Sequence, residues 1–512
     1  MNQQANKDRG TFLKNKLGLF LGPILGLILL IFFDLDPSNP LVTRTAAVAI
    51  LMAIWWITEA IPISATALIP IVLFPFLGIM KGKAVAPVYF NHIILLFIGG
   101  FIVALAMQRW GLHRRIALKI IMLIGVSPSR VILGFMAATA FLSMWISNTA
   151  TTMMMVPIAL AIISKFEDSF GAERVSRLSI GLLIGIAYAA SIGGVATLIG
   201  TPPNLSFSRI LHIYFPNAPE ITFAGWFAFG LPFAVIFLVI AWRLLSLMYA
   251  PKKETLIADR EVFKNEYRRL GKINYEEGMI LGAFLLLALL WLFRSDINIG
   301  SLTIPGWTSI LSTPDFIDDG TIAIMVALLL FLIPSRNGGK GRLMDWKTAR
   351  QLPWGIVLLF GGGFALATGF KESGLSVWLG DQLTGFSQFP AVFIVIAVCL
   401  MMTFLTELTS NTATTEMILP ILGSLSVAIQ INPLLLMIPA TLSASCAFML
   451  PVATPPNAII FGTNRISMQN LARSGIILNL IGVILITAII YLLGPYLFNI
   501  DPTQFPDWAK IG

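Results

Sequence analysis

The hexapeptide Ser-Asn-Thr-Ala-Thr-Thr occurs twice in this chain, at 147–152 and again 263 residues later at 410–415. Its side chains carry amide and hydroxyl groups and no charge. Ser, Asn and Thr are also the residues that most often cap the N-terminus of a helix. We therefore expect each hexapeptide to form the tip of a helical hairpin, where one helical arm ends and the next begins.

Such a tip offers two kinds of polar group. The second arm begins there, so its unpaired N–H groups and the positive end of its dipole attract an anion. The first arm ends there with free carbonyls and with hydroxyls at i and i+4, namely Ser143 with Ser147 and, in the second copy, Thr406 with Ser410. Neutral oxygens suit a small, hard cation. Each hairpin is thus predicted to place a cation site beside an anion site.

A second duplicated motif, Thr-Pro-Pro-Asn, occurs at 201–204 and 454–457. Two successive prolines remove two backbone donors and clash with the preceding turn, so the helix must break before them. The break frees carbonyls around 198–200 and 451–453. At membrane depth, free carbonyls are tolerated only where they face protein or a watery cavity. A coordinated cation would satisfy them.

The elements that hold these motifs are apolar. The chain has 512 residues, of which 57% are hydrophobic and 12% charged, far outside the range of soluble domains. Its apolar segments are long enough for helices across a hydrocarbon core of roughly 30 Å, and they lack the alternation of a β-barrel. The sequence predicts an all-α polytopic membrane protein. Two cysteines and three histidines indicate neither a disulfide framework nor a metal cluster, and membrane topology explains the net charge of +9 better than nucleic acid does.

About eleven transmembrane helices are predicted. The apolar candidates lie near 17–33, 45–59, 62–79, 93–107, 178–200, 224–248, 278–293, 321–333, 354–370, 434–463 and 475–495. The two stretches that contain the hexapeptides, 131–163 and 391–428, leave arms of about a dozen to sixteen residues, which is short for crossing. We expect both to be re-entrant hairpins.

The distribution of charge predicts the orientation. The loop 252–272 carries seven Lys and Arg residues and the loop 336–350 carries five, whereas 295–320 carries none. Basic loops favour the cytoplasm, so we expect a cytoplasmic N-terminus and an extracytoplasmic C-terminus. Five predicted spans separate the hairpins. Because that number is odd, the hairpins enter from opposite faces and the duplication is an inverted repeat.

The repeat extends beyond the two motifs, since the stretch at 95–106 resembles that at 358–369 at the same offset of 263 residues. Inverted repeats with broken helices are typical of secondary transporters whose binding site lies near the middle of the membrane. No Arg or Lys lies in or next to the four motifs. A bound anion must therefore be neutralised by helix dipoles and co-bound cations, and this requirement favours symport.

Five regions follow from this organisation. The N-terminal scaffold helices occupy 1–92, and the first repeat follows at 93–250, with its hairpin at 131–163 and its broken helix near 200–204. A cytoplasmic basic loop and connecting scaffold helices occupy 251–353. The second repeat lies at 354–495, with its hairpin at 391–428 and its broken helix near 453–457, and an extracytoplasmic tail follows at 496–512.

The paired Ser-Asn-Thr motifs, the two Thr-Pro-Pro-Asn breaks and the stretch WWITEAIPISATALIP at 55–70 resemble the divalent anion:sodium symporter family, the Na⁺-coupled di- and tricarboxylate carriers. The resemblance covers essentially 45–495. It implies a homodimer in which a transport domain slides as an elevator against a scaffold domain. The substrate contacts it implies are Asn148, Thr149, Thr201, Pro202, Asn411, Thr412, Thr454 and Pro455. The sodium ligands it implies are Ser143, Ser147, Asn148 and Gly200 in one set and Thr406, Ser410, Asn411 and Ala453 in the other.

The predicted function is Na⁺-coupled symport of C4-dicarboxylates such as succinate, fumarate and malate, with two or more sodium ions, across the cytoplasmic membrane of a bacterium. The apolar spans lack the residue constellations of an intramembrane enzyme. Separate cation and anion sites argue against a channel. Exchange of dicarboxylates, 2-oxoglutarate or citrate, sulfate transport and proton coupling stay open as alternatives. The sequence assigns no role to Glu416 or to the segment 295–320.

Overall fold

A computed structural model of the chain describes residues 2–125, 127–250, 260–299, 302–336 and 341–510. Part of the predicted basic loop at 252–272, and Lys340 in the second basic loop, lie outside the described residues.

The described residues form 23 α-helices, numbered here in chain order. They are α1 Asn2–Phe32, α2 Pro40–Thr58, α3 Ile63–Thr66, α4 Ile69–Phe76, α5 Gly82–Val85, α6 His92–Arg109, α7 Leu112–Ile124, α8 Pro128–Ser143, α9 Asn148–Phe170, α10 Ala172–Val195, α11 Pro202–Tyr214, α12 Phe223–Tyr249, α13 Arg260–Arg269, α14 Tyr275–Leu292, α15 Asp319–Leu332, α16 Trp346–Ala349, α17 Trp354–Glu372, α18 Leu375–Leu383, α19 Ala391–Thr406, α20 Asn411–Ala428, α21 Leu434–Ala444, α22 Pro455–Phe461 and α23 Met468–Leu497.

The structure is that of a multi-pass helical membrane protein. Within the described ranges, eight helical segments are long and apolar enough to cross a membrane: Pro40–Thr58, Gly82–Arg109, Asn148–Phe170, Ala172–Val195, Phe223–Tyr249, Tyr275–Leu292, Trp354–Glu372 and Met468–Leu497. Six shorter apolar helices of 10–17 residues accompany them, and these include α8, α19 and α21. The total of about eleven crossings stays a prediction.

One element departs from the all-α prediction. Two strands of three residues each, β1 Ile297–Ile299 and β2 Leu302–Ile304, pair antiparallel within the segment 295–320. They form the only sheet in the part of the chain that the structure describes. Four of the six strand residues are β-branched and favour such a pairing, but the segment is too short to change the fold class.

The two hairpins lie close to where the sequence places them. The second consists of α19 and α20 and has the predicted bounds of 391–428. The first consists of α8 and α9 and extends over 128–170, because α9 stays helical until Gly171, whose φ of 86° ends it. With 23 residues, α9 is longer than the predicted arm.

Two predicted single spans are divided. The stretch 62–79 contains the short helices α3 and α4, and a proline stands at the start of α4. The stretch 434–463 contains α21 and α22, which are separated by ten residues without helical structure. Prolines at 451, 455 and 456 cannot donate to a preceding helical turn, which explains this second division.

The helix α10 lies at the centre of the structure, since 94% of an apolar stretch of 18 residues within it is buried. It packs against α8, α9 and α12.

Close approaches between other helices depend on glycine. A methyl group at Gly99 would lie 2.5 Å from the backbone of Ala323, and one at Gly362 would lie 2.5 Å from the carbonyl oxygen of Ala67. These glycines therefore allow tight packing at both contacts.

Candidate functional site

The first hairpin turns at its hexapeptide. The helix α8 ends at Ser143 and α9 begins at Asn148, with Ser147 as the N-cap residue. The Ser147 hydroxyl accepts a hydrogen bond from the Ala150 N–H at 3.3 Å, which is the predicted capping role. The residues 147–150 are partly exposed. The N–H end of α9 is therefore open at the tip.

The second hairpin repeats this turn with one difference. The helix α19 ends at Thr406 and α20 begins at Asn411, with Ser410 as the N-cap residue. The Ser410 side chain makes no capping hydrogen bond, so its hydroxyl does not satisfy the first N–H groups of α20. These N–H groups keep their capacity to bind an acceptor.

Three oxygen atoms converge behind the first tip. The Ser143 hydroxyl oxygen lies 2.6 Å from Asn148 Oδ1 and 2.7 Å from the carbonyl oxygen of Ala190 in α10. One hydroxyl hydrogen can serve only one of these two acceptors. The cluster therefore has more lone pairs than protons, which is the chemistry of a site for a hard cation.

The same three oxygens converge behind the second tip. The Thr406 hydroxyl oxygen lies 2.6 Å from Asn411 Oδ1 and 2.9 Å from the carbonyl oxygen of Ala444 in α21. Thr406 and Asn411 each stand 263 residues after their counterparts in the first cluster. Ala190 and Ala444 are not among the predicted site residues, because a backbone carbonyl leaves no side-chain signal in the sequence.

The double prolines begin new helices, as their chemistry requires. Thr201 is the N-cap residue of α11 and Thr454 is that of α22, and in each case the first proline is the first helical residue. The Thr454 hydroxyl accepts from the Asn457 N–H at 3.3 Å, whereas Thr201 makes no side-chain cap. Two further helix N-termini are therefore built at the breaks.

The asparagine of each Thr-Pro-Pro-Asn motif bonds part of the freed backbone. The Asn204 amide donates to the carbonyl of Thr197 at 2.7 Å, with the carbonyls of Gly194 and Val195 at 3.5 and 3.3 Å. These carbonyls lie on the N-terminal side of 198–200, and that a cation satisfies the carbonyls of 198–200 stays a prediction.

The second break uses the same arrangement. The Asn457 amide donates to the carbonyls of Ala447 and Leu450 at 3.1 and 3.0 Å. These carbonyls stand 253 residues after those of Gly194 and Thr197, as Asn457 does after Asn204. Both breaks are therefore shaped by a buried asparagine that the sequence analysis left without a role.

Two glycines, Gly194 and Gly200, place the backbone of the first break against the first oxygen cluster. A methyl group at Gly194 would lie 2.5 Å from Asn148 Oδ1 and 3.0 Å from the carbonyl oxygen of Gly200. One at Gly200 would overlap the carbonyl oxygen of Gly194. The structure thus brings together Ser143, Asn148 and Gly200 of the first predicted sodium set. The N–H of Ala453 in the second set donates to the Leu450 carbonyl at 3.2 Å, and its part in a cation site stays a prediction.

The helices after the first break and the second tip run side by side. Ser206 in α11 bonds Glu416 in α20, and further along a methyl group at Gly423 would lie 3.2 Å from the Tyr214 ring. The order of these contacts shows that α11 and α20 are parallel. Their N-termini, at Thr201 and Ser410, therefore lie on the same side.

A matching pair joins the first hairpin to the second break. The helix α22 packs against α9, and Arg465, which follows the end of α22, forms a bidentate ion pair with Glu167 in the last turn of α9. Each pair thus combines the hairpin of one repeat with the break of the other. In the pair α11 and α20, which are parallel and begin together, the N–H groups and dipoles add at one end, and this favours a bound anion.

Basic side chains approach the first tip from another part of the chain. A cavity of about 440 Å³ lies beside Ala150 and Thr151 and is also lined by Arg109, Arg114 and His113 from α6 and α7. Arg109 is paired with Asp345 at 2.8 Å. The sequence correctly shows no basic residue within the motifs, but spacing along the chain could not place these residues near the tip.

Glu407, next to Thr406, is a buried acid that is not among the predicted site residues. Its carboxylate accepts from the backbone N–H groups of Phe448, Met449 and Leu450 at 2.7, 2.8 and 2.9 Å, and from the Asn479 amide at 2.8 Å. The four bonds hold the unwound segment before the second break. A buried acid in an apolar run is a functional candidate by default, and this signal could have identified it.

The comparisons with known proteins agree with this architecture. A family model described as the sodium:sulfate symporter transmembrane region matches residues 24–500. A relative in Staphylococcus saprophyticus, the sodium-dependent dicarboxylate transporter SdcS, is 44% identical over 509 residues, covering 98% of this chain and 95% of its own. SdcS of Staphylococcus aureus strain MRSA252 is 46% identical over 500 residues, covering 95% of this chain and 93% of its own.

Two solved structures have a similar fold. MtrF of Neisseria gonorrhoeae, described as illuminating a class of antimetabolite efflux pumps, matches with a TM-score of 0.54 at 12% identity over 94% of this chain and 99% of its own. The YdaH transporter of Alcanivorax borkumensis matches with a TM-score of 0.51 at 12% identity over 87% and 98%. At this identity the likeness concerns the fold alone.

Proposed function

The chain belongs to the sodium:sulfate symporter family, and from this membership we propose that it is a sodium-coupled symporter of C4-dicarboxylates such as succinate, fumarate and malate. It is a multi-pass membrane transporter and not an enzyme, and its relatives are bacterial. The names of the SdcS relatives, at 44% and 46% identity over nearly the whole chain, support sodium dependence and a dicarboxylate substrate.

The observation that carries the proposal is the doubled oxygen cluster. Each cluster joins a hydroxyl, an amide oxygen and a backbone carbonyl within 2.9 Å of the hydroxyl oxygen, without a carboxylate. Neutral oxygens of this kind suit Na⁺, a weakly charged hard ion. The proposed ligands are Ser143, Ser147, Asn148 and Gly200 for one ion and Thr406, Ser410, Asn411 and Ala453 for the other.

The substrate is proposed to bind at the four helix N-termini. The first turns of α9 and α20 contribute Asn148, Thr149, Asn411 and Thr412, and the starts of α11 and α22 contribute Thr201, Pro202, Thr454 and Pro455. Two pairs of N-termini suit two carboxylates better than one. Because a dianion in a low-dielectric site needs positive charge, sodium bound first raises the affinity for the dicarboxylate.

Transport is proposed to follow an elevator mechanism in a homodimer. In this scheme 1–92 and 251–353 supply scaffold helices, while the inverted repeats at 93–250 and 354–495 carry the moving site. The half-loaded site holds uncompensated charge, so only the empty and the fully loaded forms move. The proposed orientation has a cytoplasmic N-terminus and an extracytoplasmic C-terminus.

A ligand panel tests the assignment. The purified protein in detergent is heated with succinate, fumarate, malate, citrate, 2-oxoglutarate or sulfate, each in sodium, lithium or potassium chloride. We expect a C4-dicarboxylate to raise the unfolding temperature most, and only when sodium is present. Stabilisation by sulfate alone, or stabilisation of equal size in potassium, would contradict the proposal.

A further inference from the structure

Glu416 is a fully buried acid in α20 to which neither the symport scheme nor the sequence assigns a role. Its side chain has no exposed surface, and it lies five residues after Asn411 at the second tip. Its counterpart in the first repeat, Met153, is 61% exposed. Glu416 is therefore an addition to the second hairpin and not a feature that the repeats share.

Among the residues that the structure describes, the carboxyl group of Glu416 has one hydrogen-bond partner. The Ser206 hydroxyl in α11 donates to Oε1 at 2.5 Å, while Oε2 is buried without a partner. The backbone of Gly363 in α17 lies directly against Oε2, and a methyl group there would overlap it. One hydroxyl and so little space do not provide the several oxygens that a metal ion requires.

Within the described ranges, no charged side chain pairs with this carboxyl group. The helices α2, α11, α17, α18, α19 and α21 pack against α20. The charged and titratable residues on these helices are Arg44, Arg209, His212, Tyr214, Lys371, Glu372, Asp381 and Cys399. None of them forms an ion pair with Glu416 in the part of the chain that the structure describes. Lys371 instead donates to the Ile213 carbonyl at 2.7 Å.

A buried carboxylate with a single hydroxyl donor is costly, because its lost hydration is not replaced. A neutral carboxylic acid in the same place is tolerated. We propose that Glu416 binds a proton at its buried carboxyl group and that loss of this proton to water, leaving the carboxylate, shuts down transport at alkaline pH.

The position of Glu416 connects this proton to the site. The Glu416–Ser206 hydrogen bond joins α20 to α11 near the N-termini that begin at Asn411 and Pro202. Negative charge between these helices would oppose their packing and the binding of an anion at the same N-termini. The effect on transport rests on the proposed function, whereas the bound proton itself does not.

Infrared difference spectroscopy tests the proton directly. Spectra of the purified protein without substrate are compared between pH 7 and about pH 9.5. We expect the wild type to lose a carbonyl band of a protonated carboxylic acid with rising pH, and Glu416→Gln to lack that band. In Ser206→Ala, which removes the one hydroxyl that stabilises the carboxylate, the loss should occur at higher pH. A wild-type spectrum without this band, or the same band in Glu416→Gln, would overturn the proposal.

Uptake in proteoliposomes tests the consequence. At each pH, wild-type uptake is divided by uptake of Glu416→Gln. This ratio removes the effect that protonation of the substrate has on uptake, because both proteins meet the same substrate. We expect this ratio to fall at least about threefold between pH 7 and pH 9.5, as a single titrating group predicts. Glu416→Met, which carries the residue of the first repeat, should behave like Glu416→Gln. A constant ratio would refute the link to transport.

These two experiments separate the proposals. If the wild type shows the titrating acid but takes up no dicarboxylate, the proposed function fails and the proton site stands. If uptake is sodium-dependent but neither the band nor the ratio changes with pH, the proton site fails alone. If neither Glu416 variant folds, the shift in Ser206→Ala still decides whether the acid binds a proton.

Discussion

The hydroxyl oxygen of Thr406 lies 2.6 Å from Oδ1 of Asn411 across the second hairpin tip. The same distance separates Ser143 from Asn148 across the first tip. In both clusters a backbone carbonyl also lies within hydrogen-bond distance of the hydroxyl, so three oxygens share one hydrogen. This shortage of protons is the physical basis of the two proposed sodium sites.

Replacing Thr406 tests the hydroxyl in this cluster. Thr406→Val keeps the shape but removes one oxygen, so we expect the sodium concentration for half-maximal uptake to rise about tenfold or more. Thr406→Ser keeps the oxygen and reproduces the first cluster, and should stay within about twofold of the wild type. Sodium titrations of uptake measure both. Equal effects of the two substitutions would show that packing and not the hydroxyl matters.

The tip asparagines supply both an amide oxygen and the first turn of a helix. Asn148→Ala and Asn411→Ala are each expected to reduce dicarboxylate uptake to background while the protein stays folded. The unfolding temperature without sodium serves as the control, because it reports the fold and not the ligands. Uptake at the wild-type rate by either variant would remove that asparagine from the site.

Gly194 is expected to accept no side chain. In Gly194→Ala the new methyl group would meet Asn148 Oδ1 at 2.5 Å and displace it from the cluster. We predict that the sodium concentration for half-maximal uptake rises at least about tenfold, which corresponds to overpacking of about 1.4 kcal/mol or more. The matched control is Gly282→Ala, where a methyl group meets nothing within 4 Å. Normal sodium activation of Gly194→Ala would contradict the predicted contact.

Glu407 is predicted to position the unwound segment before the second break. Glu407→Gln replaces an acceptor oxygen by an amide donor that faces backbone N–H groups, so the protein should lose roughly 2–4 kcal/mol of stability. The sodium concentration for half-maximal uptake should rise as well, because the unwound segment leads to Ala453, a proposed sodium ligand. Asn479→Ala removes only one of the four donors and should have a smaller effect. Thermal unfolding measures the stability of both variants, and sodium titrations of uptake measure their sodium dependence. If Glu407→Gln matches the wild type in both measurements, Glu407 does not position the unwound segment.

The sequence predicted the local features that depend on residue type. Prolines at 202 and 455 fix where helices begin, and Ser147 caps α9, because these effects depend on neighbouring residues. The bounds of the second hairpin followed from its apolar arms. The first hairpin was longer than predicted, since only Gly171 with its left-handed backbone ends α9.

The long-range features could not be predicted from spacing. The carbonyls of Ala190 and Ala444 enter the clusters only because α10 and α21 pack behind the tips. The parallel pairing of α11 with α20 likewise depends on tertiary contacts such as Ser206 with Glu416. The bonds from Glu407 to the unwound segment also depend on tertiary contacts, and the first repeat has Met144 in its place. In the first repeat the Thr197 hydroxyl donates to the Met144 carbonyl instead.

Sodium-gradient-driven uptake of labelled succinate into proteoliposomes that contain only the purified protein is the most direct test of the central claim. We predict saturable uptake under an inward sodium gradient and background uptake when potassium replaces sodium on both sides. Uptake of equal size in potassium, or counterflow that proceeds without sodium, would contradict the claim that bound sodium makes the dicarboxylate tolerable at the two tips.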